Sequence, residues 1–169
     1  MRDPVLDPGI LRFAIFSLTG GLSSLLSAVA TPAARVPAEV YNGDEDNPLS
    51  MEDVGLSVLA REIRSLRCQV DALHWSKSQR ECAALRNAER LRDHLKDGSL
   101  IIDALRPSEL PRRELLRDRY GIGRGEAASL VLAERHDAAV VYLSPESLAC
   151  DVARREGVRF VAVRQAVAA

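Results

Sequence analysis

The chain predicts an α/β fold, one domain with a central, mostly parallel sheet of about four to five strands flanked by helices. Three observations carry that expectation. The last third reads strand, helix, strand, as "AAVVYL", "SLACDVARREG" and "VRFVAV", and two apolar strands joined through a helix make a parallel crossover unit. Upstream, apolar runs too short for helices stand between stretches of helical period. Finally, 169 residues with 47% hydrophobic content suit one compact core better than two.

Taken in order, "PVLDPGIL" is a short strand that Asp7, Pro8 and Gly9 end in a turn. Phe13 to Ala30, "FAIFSLTGGLSSLLSAVA", is an apolar helix or helix pair interrupted at Gly20-Gly21. Its Ala-Val-Ala ending also suits a signal peptide. Against that, Asp3 and Asp7 cancel Arg2 and Arg12 ahead of it, and its serines and glycines make it too polar to span a bilayer. A buried helix in a cytoplasmic chain with no membrane partner is therefore expected. "RVPAEVYN" is an extended entry into another helix, and Asn42 to Asp53 is an acidic, turn-rich loop.

Residues 51–96 read as an antiparallel helical pair. Val54, Val58, Leu59, Ile63, Leu66, Val70 and Leu73 recur at helical spacing in the first member, and the second runs from a Ser78–Glu81 capping box to Gly98. "SLIIDAL" is then a strand, "PSELPRRELLRDRY" a helix capped at Ser108, and "GEAASLVLAERHD" a further helix. "SPES" after "AAVVYL" opens the next helix, with Ser144 as its cap.

The net charge of −1 excludes a global basic field for nucleic acid, so any such contact needs a local patch. Only Lys77 and Lys96 among the 23 basic residues are lysines. Arginine matches phosphate in bidentate fashion, although G- and C-rich coding gives the same bias. The arginines at 112, 113, 117, 119 and 124 are either a phosphate-binding edge or a solvated helix face. Cys68, Cys82 and Cys150 are widely spaced and form no CxxC, which excludes a disulfide framework and a zinc knuckle. His74, His94 and His136 share no metal-ligand spacing, and no nucleophilic triad is apparent. His74 and Trp75 either edge the core or stack on a base.

The glycines of "GIGRGEAASLVLA" suggest a phosphate loop, but the third glycine of a dinucleotide fingerprint would stand where Glu126 is, and a helix rather than a strand precedes it. A carboxylate at that place needs another purpose. In open parallel sheets, ligands sit beyond the carboxyl ends of the strands. Asp7 follows the first strand, Ser144 and Glu146 follow "AAVVYL", and Glu126 reaches the same rim if its helix runs antiparallel to the sheet. Converging carboxylates repel one another unless a hard cation such as Mg²⁺ or Mn²⁺ neutralises them. Each acid also has a plainer role: Asp7 as a turn former, Glu126 and Glu146 as first-turn acids favoured by the helix dipole.

The stretch "GRGEAASLVLA" is close to the Gly-x-Gly-Glu-Ala helix start of PIN-domain proteins, the nuclease fold of many toxin-antitoxin toxins. Asp97 to Val163 resembles the C-terminal half of that family. "VLDPGIL" and "RVPAEVY" resemble its first strand, with a metal-binding aspartate, and its VP-x-x-VY helix entry. The resemblance spans most of the chain apart from the middle helices.

It implies a single PIN-like domain over residues 1–169 in which acids hold Mg²⁺ or Mn²⁺ and activate water to hydrolyse single-stranded RNA. By that resemblance Asp7 and Glu126 are catalytic metal ligands and Glu146 is a secondary one. The second acid of the family falls on Gly43, with Asp44 adjacent as a further candidate ligand and Glu39 one turn earlier. The aspartate after the fourth strand falls on Ser144. An antitoxin protein is the partner a toxin implies, and a homo-oligomer is expected, with the helices of 51–96 a candidate interface. Because Gly43 and Ser144 depart from the pattern, the alternative is a degenerate PIN-fold protein that binds RNA or a partner protein without cleaving.

Overall fold

The structure is a computed structural model that describes residues 2–16, 20–42 and 79–163. Five strands, β1 Val5–Leu6, β2 Ala34–Pro37, β3 Leu100–Asp103, β4 Val140–Tyr142 and β5 Phe160–Ala162, form one all-parallel sheet in the order β3-β2-β1-β4-β5. The described helices are α1 Pro8–Phe16, α2 Gly21–Ala28, α3 Ala38–Asn42, α4 Gln79–Lys96, α5 Leu110–Tyr120, α6 Arg124–His136 and α7 Leu148–Arg155.

Successive strand residues face opposite sides of a sheet, and the core divides accordingly. Leu6, Val36, Leu100 and Val141 pack with Ile10, Leu25 and Leu91 from α1, α2 and α4. On the other side Val5, Val140 and Tyr142 pack with Leu116, Leu130 and Val152 from α5, α6 and α7. Helices therefore cover both faces, the arrangement that lets parallel strands be apolar throughout. None of the helices in the described residues is long and apolar enough to cross a membrane.

The expected α/β class and parallel sheet are both present, and the differences are local. Pro8 does not close a turn: it is the first residue of α1, where its missing N–H and fixed φ cost nothing. Asp7 is the cap, its Oδ2 accepting the Gly9 N–H at 2.8 Å. The apolar segment after it is two helices, and Gly20 and Gly21 at φ +86° and +58° make the break.

Ser108 does not cap the next helix either. Pro107–Glu109 is a 3₁₀ turn, tied by the Glu109 carboxylate accepting the Arg106 N–H at 2.7 Å, and α5 starts only at Leu110, ahead of Pro111. Ser147, not Ser144, caps α7, its Oγ accepting the Cys150 N–H at 3.2 Å. Of the expected helical pair over 51–96, α4 is observed and its partner lies outside the described residues.

Candidate functional site

Strand order creates a switch point. From β1 the chain moves to β2 and β3 on one side and returns to β4 and β5 on the other, so a crevice opens between the carboxyl ends of β1 and β4, the preferred ligand position in open α/β sheets. Asp7 follows β1 and Tyr142 ends β4 at that crevice.

Helix α6 delivers Glu126 to the same place. Ser129 Oγ donates to the Gly125 carbonyl at 3.0 Å and to the Leu6 carbonyl at 3.4 Å, fixing the first turns of α6 beside the end of β1. At the far end of the helix Arg2, ahead of β1, donates to the His136 carbonyl at 2.9 Å, so α6 and β1 run antiparallel. Gly125 makes the approach feasible: a Cβ there would stand 2.9 Å from both Pro8 Cγ and Val40 Cγ2. The glycine preceding Glu126 thus serves helix packing, not phosphate. Glu126 Oε2 accepts the Gly123 N–H at 2.8 Å, so the carboxylate is held at the helix start.

Asp7 is only 6% exposed. One oxygen is bonded to Gly9, while Oδ1 is buried with no hydrogen-bond partner. Burial pushes its pKa up to about 7; the Gly9 and Ile10 N–H groups pull against that, and the charge of Glu126 adds to the rise. Two carboxylates from positions far apart in the chain therefore act on each other at one rim.

Glu146 is exposed and engaged locally: Ser144 Oγ donates to its carboxylate at 2.6 Å and accepts its own N–H at 3.3 Å. Asp44 and Gly43 lie outside the described residues, as do His74 and Trp75. Among the described residues, no group of three His, Cys, Asp or Glu side chains is arranged to hold a metal ion. The orphaned Oδ1 of Asp7 and the neighbouring Glu126 nonetheless fit a hard cation, which takes oxygen ligands and neutralises paired carboxylates.

Glu39, the other acid near the helix entry, is held by arginines. Arg113, itself 7% exposed, donates to its Oε1, and Arg124 Nε stands 3.4 Å from its Oε2. The other arginines of the expected phosphate edge are paired as well: Arg112 with Glu134 and Glu156 at 2.7 and 2.8 Å, Arg117 with Glu114 at 2.8 Å, and Arg119 with Glu156 at 3.6 Å. These arginines tie α5 to α6, to α3 and to the end of α7. Except for Glu114, three residues before Arg117 on α5 itself, their acidic partners come from other elements, which helical spacing in one segment does not reveal.

The residue that sequence reasoning missed is Tyr142. It is 1% exposed, and its hydroxyl is buried without a partner. Burial holds its pKa well above the usual phenol range, with the charges of Asp7, Cys150 and Glu126 acting the same way. The available signal was its place near the end of the apolar run "AAVVYL". No protein-family model matches the chain, and no curated protein matches it.

Proposed function

We propose that the chain is a PIN-like, divalent-metal-dependent endoribonuclease that hydrolyses phosphodiester bonds of single-stranded RNA at the β1/β4 rim. The observation that carries this reading is the buried carboxylate of Asp7, with one oxygen unpartnered, beside the carboxylate of Glu126. Buried polar atoms are almost always satisfied, so one left open at a sheet's switch point marks a ligand position.

Asp7 and Glu126 would hold Mg²⁺ or Mn²⁺, with Glu146 and Asp44 the candidates to complete the shell. Such an ion supplies Lewis acidity toward a phosphodiester and lowers the pKa of water. The chain's own contribution is positional. The Gly9 N–H holds Asp7, the Gly123 N–H holds Glu126, and the packed face behind them limits the access of bulk water. The choice of single-stranded RNA rests on the resemblance of "GRGEAASLVLA" and "VLDPGIL" to PIN nucleases, as does a toxin role with an antitoxin protein as partner.

The test is calorimetric titration of Mn²⁺ into the parent and Glu126→Gln, with cleavage of single-stranded RNA followed in parallel. Glutamine still accepts the Gly123 N–H, so the helix start survives while the charge is lost. We expect binding and cleavage in the parent and neither in the variant; a folded parent that binds no Mn²⁺ would overturn the reading.

A second reading, a degenerate PIN-fold protein that binds RNA or a partner without cleavage, is favoured by Ser144, whose hydroxyl bonds Glu146 where the family has an acid. Ser144→Asp discriminates. Cleavage that appears only in the variant would make the parent degenerate.

A further inference from the structure

We infer that Tyr142 is a positioning residue of the Asp7–Glu126 site, its hydroxyl donating to a water shared with Asp7 Oδ1; the inference rests on reading that site as a divalent-cation centre. The strand register places the two residues level. Val5 pairs with Val140 and Leu6 with Val141, and the Asp7 N–H donates to the Val141 carbonyl at 3.2 Å, so Asp7 and Tyr142 are the next pair along. Alternation puts Asp7 on the face of Val5, the face on which Val140 and Tyr142 pack.

On these level residues Asp7 Oδ1 and the Tyr142 hydroxyl are both buried with no protein partner, and the charge of Asp7 acts on the phenol. An orphaned buried hydroxyl is costly, and two of different chemical type on adjacent strands are accounted for by a shared third group. The carboxylate can only accept when ionised, and the phenol can donate. The surroundings keep the phenol protonated, because burial and the nearby carboxylates both oppose its ionisation. Its ring packs edge-on against Phe160, with centroids 6.2 Å apart and planes at 65°, which restricts its motion. A neutral donor beside Asp7 orients a water without adding charge, the outer-shell role that sets the geometry of many metal sites.

The experiment uses the full chain, Tyr142→Phe, and Mn²⁺ alone as the probe, with calorimetry and thermal unfolding in the presence and absence of the ion. The variant keeps the ring and loses the hydroxyl. We expect cooperative unfolding with a metal-free midpoint at or above that of the parent, together with Mn²⁺ affinity weakened by about 10-fold and a smaller rise of the midpoint on adding Mn²⁺. Affinity equal to the parent's, while Glu126→Gln loses binding, would overturn the role of Tyr142 and leave the cation site standing. A folded parent that binds no Mn²⁺ overturns both. Failure of Tyr142→Phe to fold also overturns the inference, since a hydroxyl whose loss unfolds the chain is structural.

Discussion

The two ends of the β1–α6 pair treat charge in opposite ways. At the carboxyl end of β1, Asp7 and Tyr142 are buried with polar atoms unpartnered. At the far end of α6, Arg135 and His136 reach Asp103, the last residue of β3, His136 at 2.8 Å; Arg35 joins them at 3.1 Å, and Arg135 also reaches Glu109 at 3.0 Å. A polar recess of about 450 Å³, lined by Arg2, Asp3, Arg35, Arg135 and His136, lies there, and its arginines are matched by acids. The same sheet and helix thus carry one closed charge network and one open one. On the proposed reading, the open network at the switch point is the one that takes a ligand, and the closed one only links elements of the fold.

The contrast has a pH signature of opposite sign. The folded-state pKa of Asp7, about 7, lies above its ordinary value of 3.8, so its contribution to stability is complete below 3.8 and is lost as pH rises through 7. Asp7→Asn mimics the protonated form. It should stabilise the metal-free protein by on the order of 3 kcal/mol at pH 8 and flatten the decline between about pH 4 and 7. Urea unfolding across that range checks it, and a variant no more stable than the parent at pH 8 would remove the open end from the comparison.

Asp103 behaves in the reverse sense. Burial opposes its ionisation, but the hydrogen bonds of Arg135 and His136 outweigh that and hold the carboxyl below its usual range. Its contribution is present above the unfolded-state pKa and disappears as pH falls through the folded value. Asp103→Asn removes the acid that Arg35, Arg135 and His136 share, leaving Arg35 with Asp3 and Arg135 with Glu109, and should lose about 2 kcal/mol at pH 7, discounted from the fully buried case because the pairs are partly exposed. The same variant should show less acid sensitivity than the parent. Equal stability at pH 7 would mean the closed network is ornamental.

The smallest effect tests the packing that joins the two ends. Gly125→Ala sets a methyl against Pro8 and Val40 and should destabilise by about 1–2 kcal/mol. Because it pushes the start of α6 from β1, it should also weaken Mn²⁺ binding without touching an acid. Intact Mn²⁺ affinity in a destabilised Gly125→Ala would show that the position of Glu126 tolerates the shift.

Much of the fold was legible beforehand because it follows from local chemistry. Apolar runs such as "AAVVYL" and "VRFVAV" cannot be solvated and must be covered on both faces, which dictates a parallel sheet between helices. Asp7 and Glu126 were legible as candidates because each sits at an element boundary. The errors fell where two local signals compete. Asp-Pro-Gly reads equally as a turn or as a cap with Pro at N1, and only the α1 contacts with the core select the helix. Serines at 144 and 147 both satisfy a cap rule, and the geometry of the "SPES" turn selected Ser147.

By itself the sequence determined the α/β class, the parallel crossover at the C-terminal third and the two acids at the strand and helix ends, because periodicity, capping and burial act over a few residues. Strand order was decided only in three dimensions, and with it the switch point between β1 and β4. The pairing of Arg113 and Arg124 with Glu39, and the register that sets Tyr142 level with Asp7, belong to the same level. Those contacts join residues more than seventy positions apart, and what fixes them is the closing of two cores on the faces of one sheet, which no local pattern encodes.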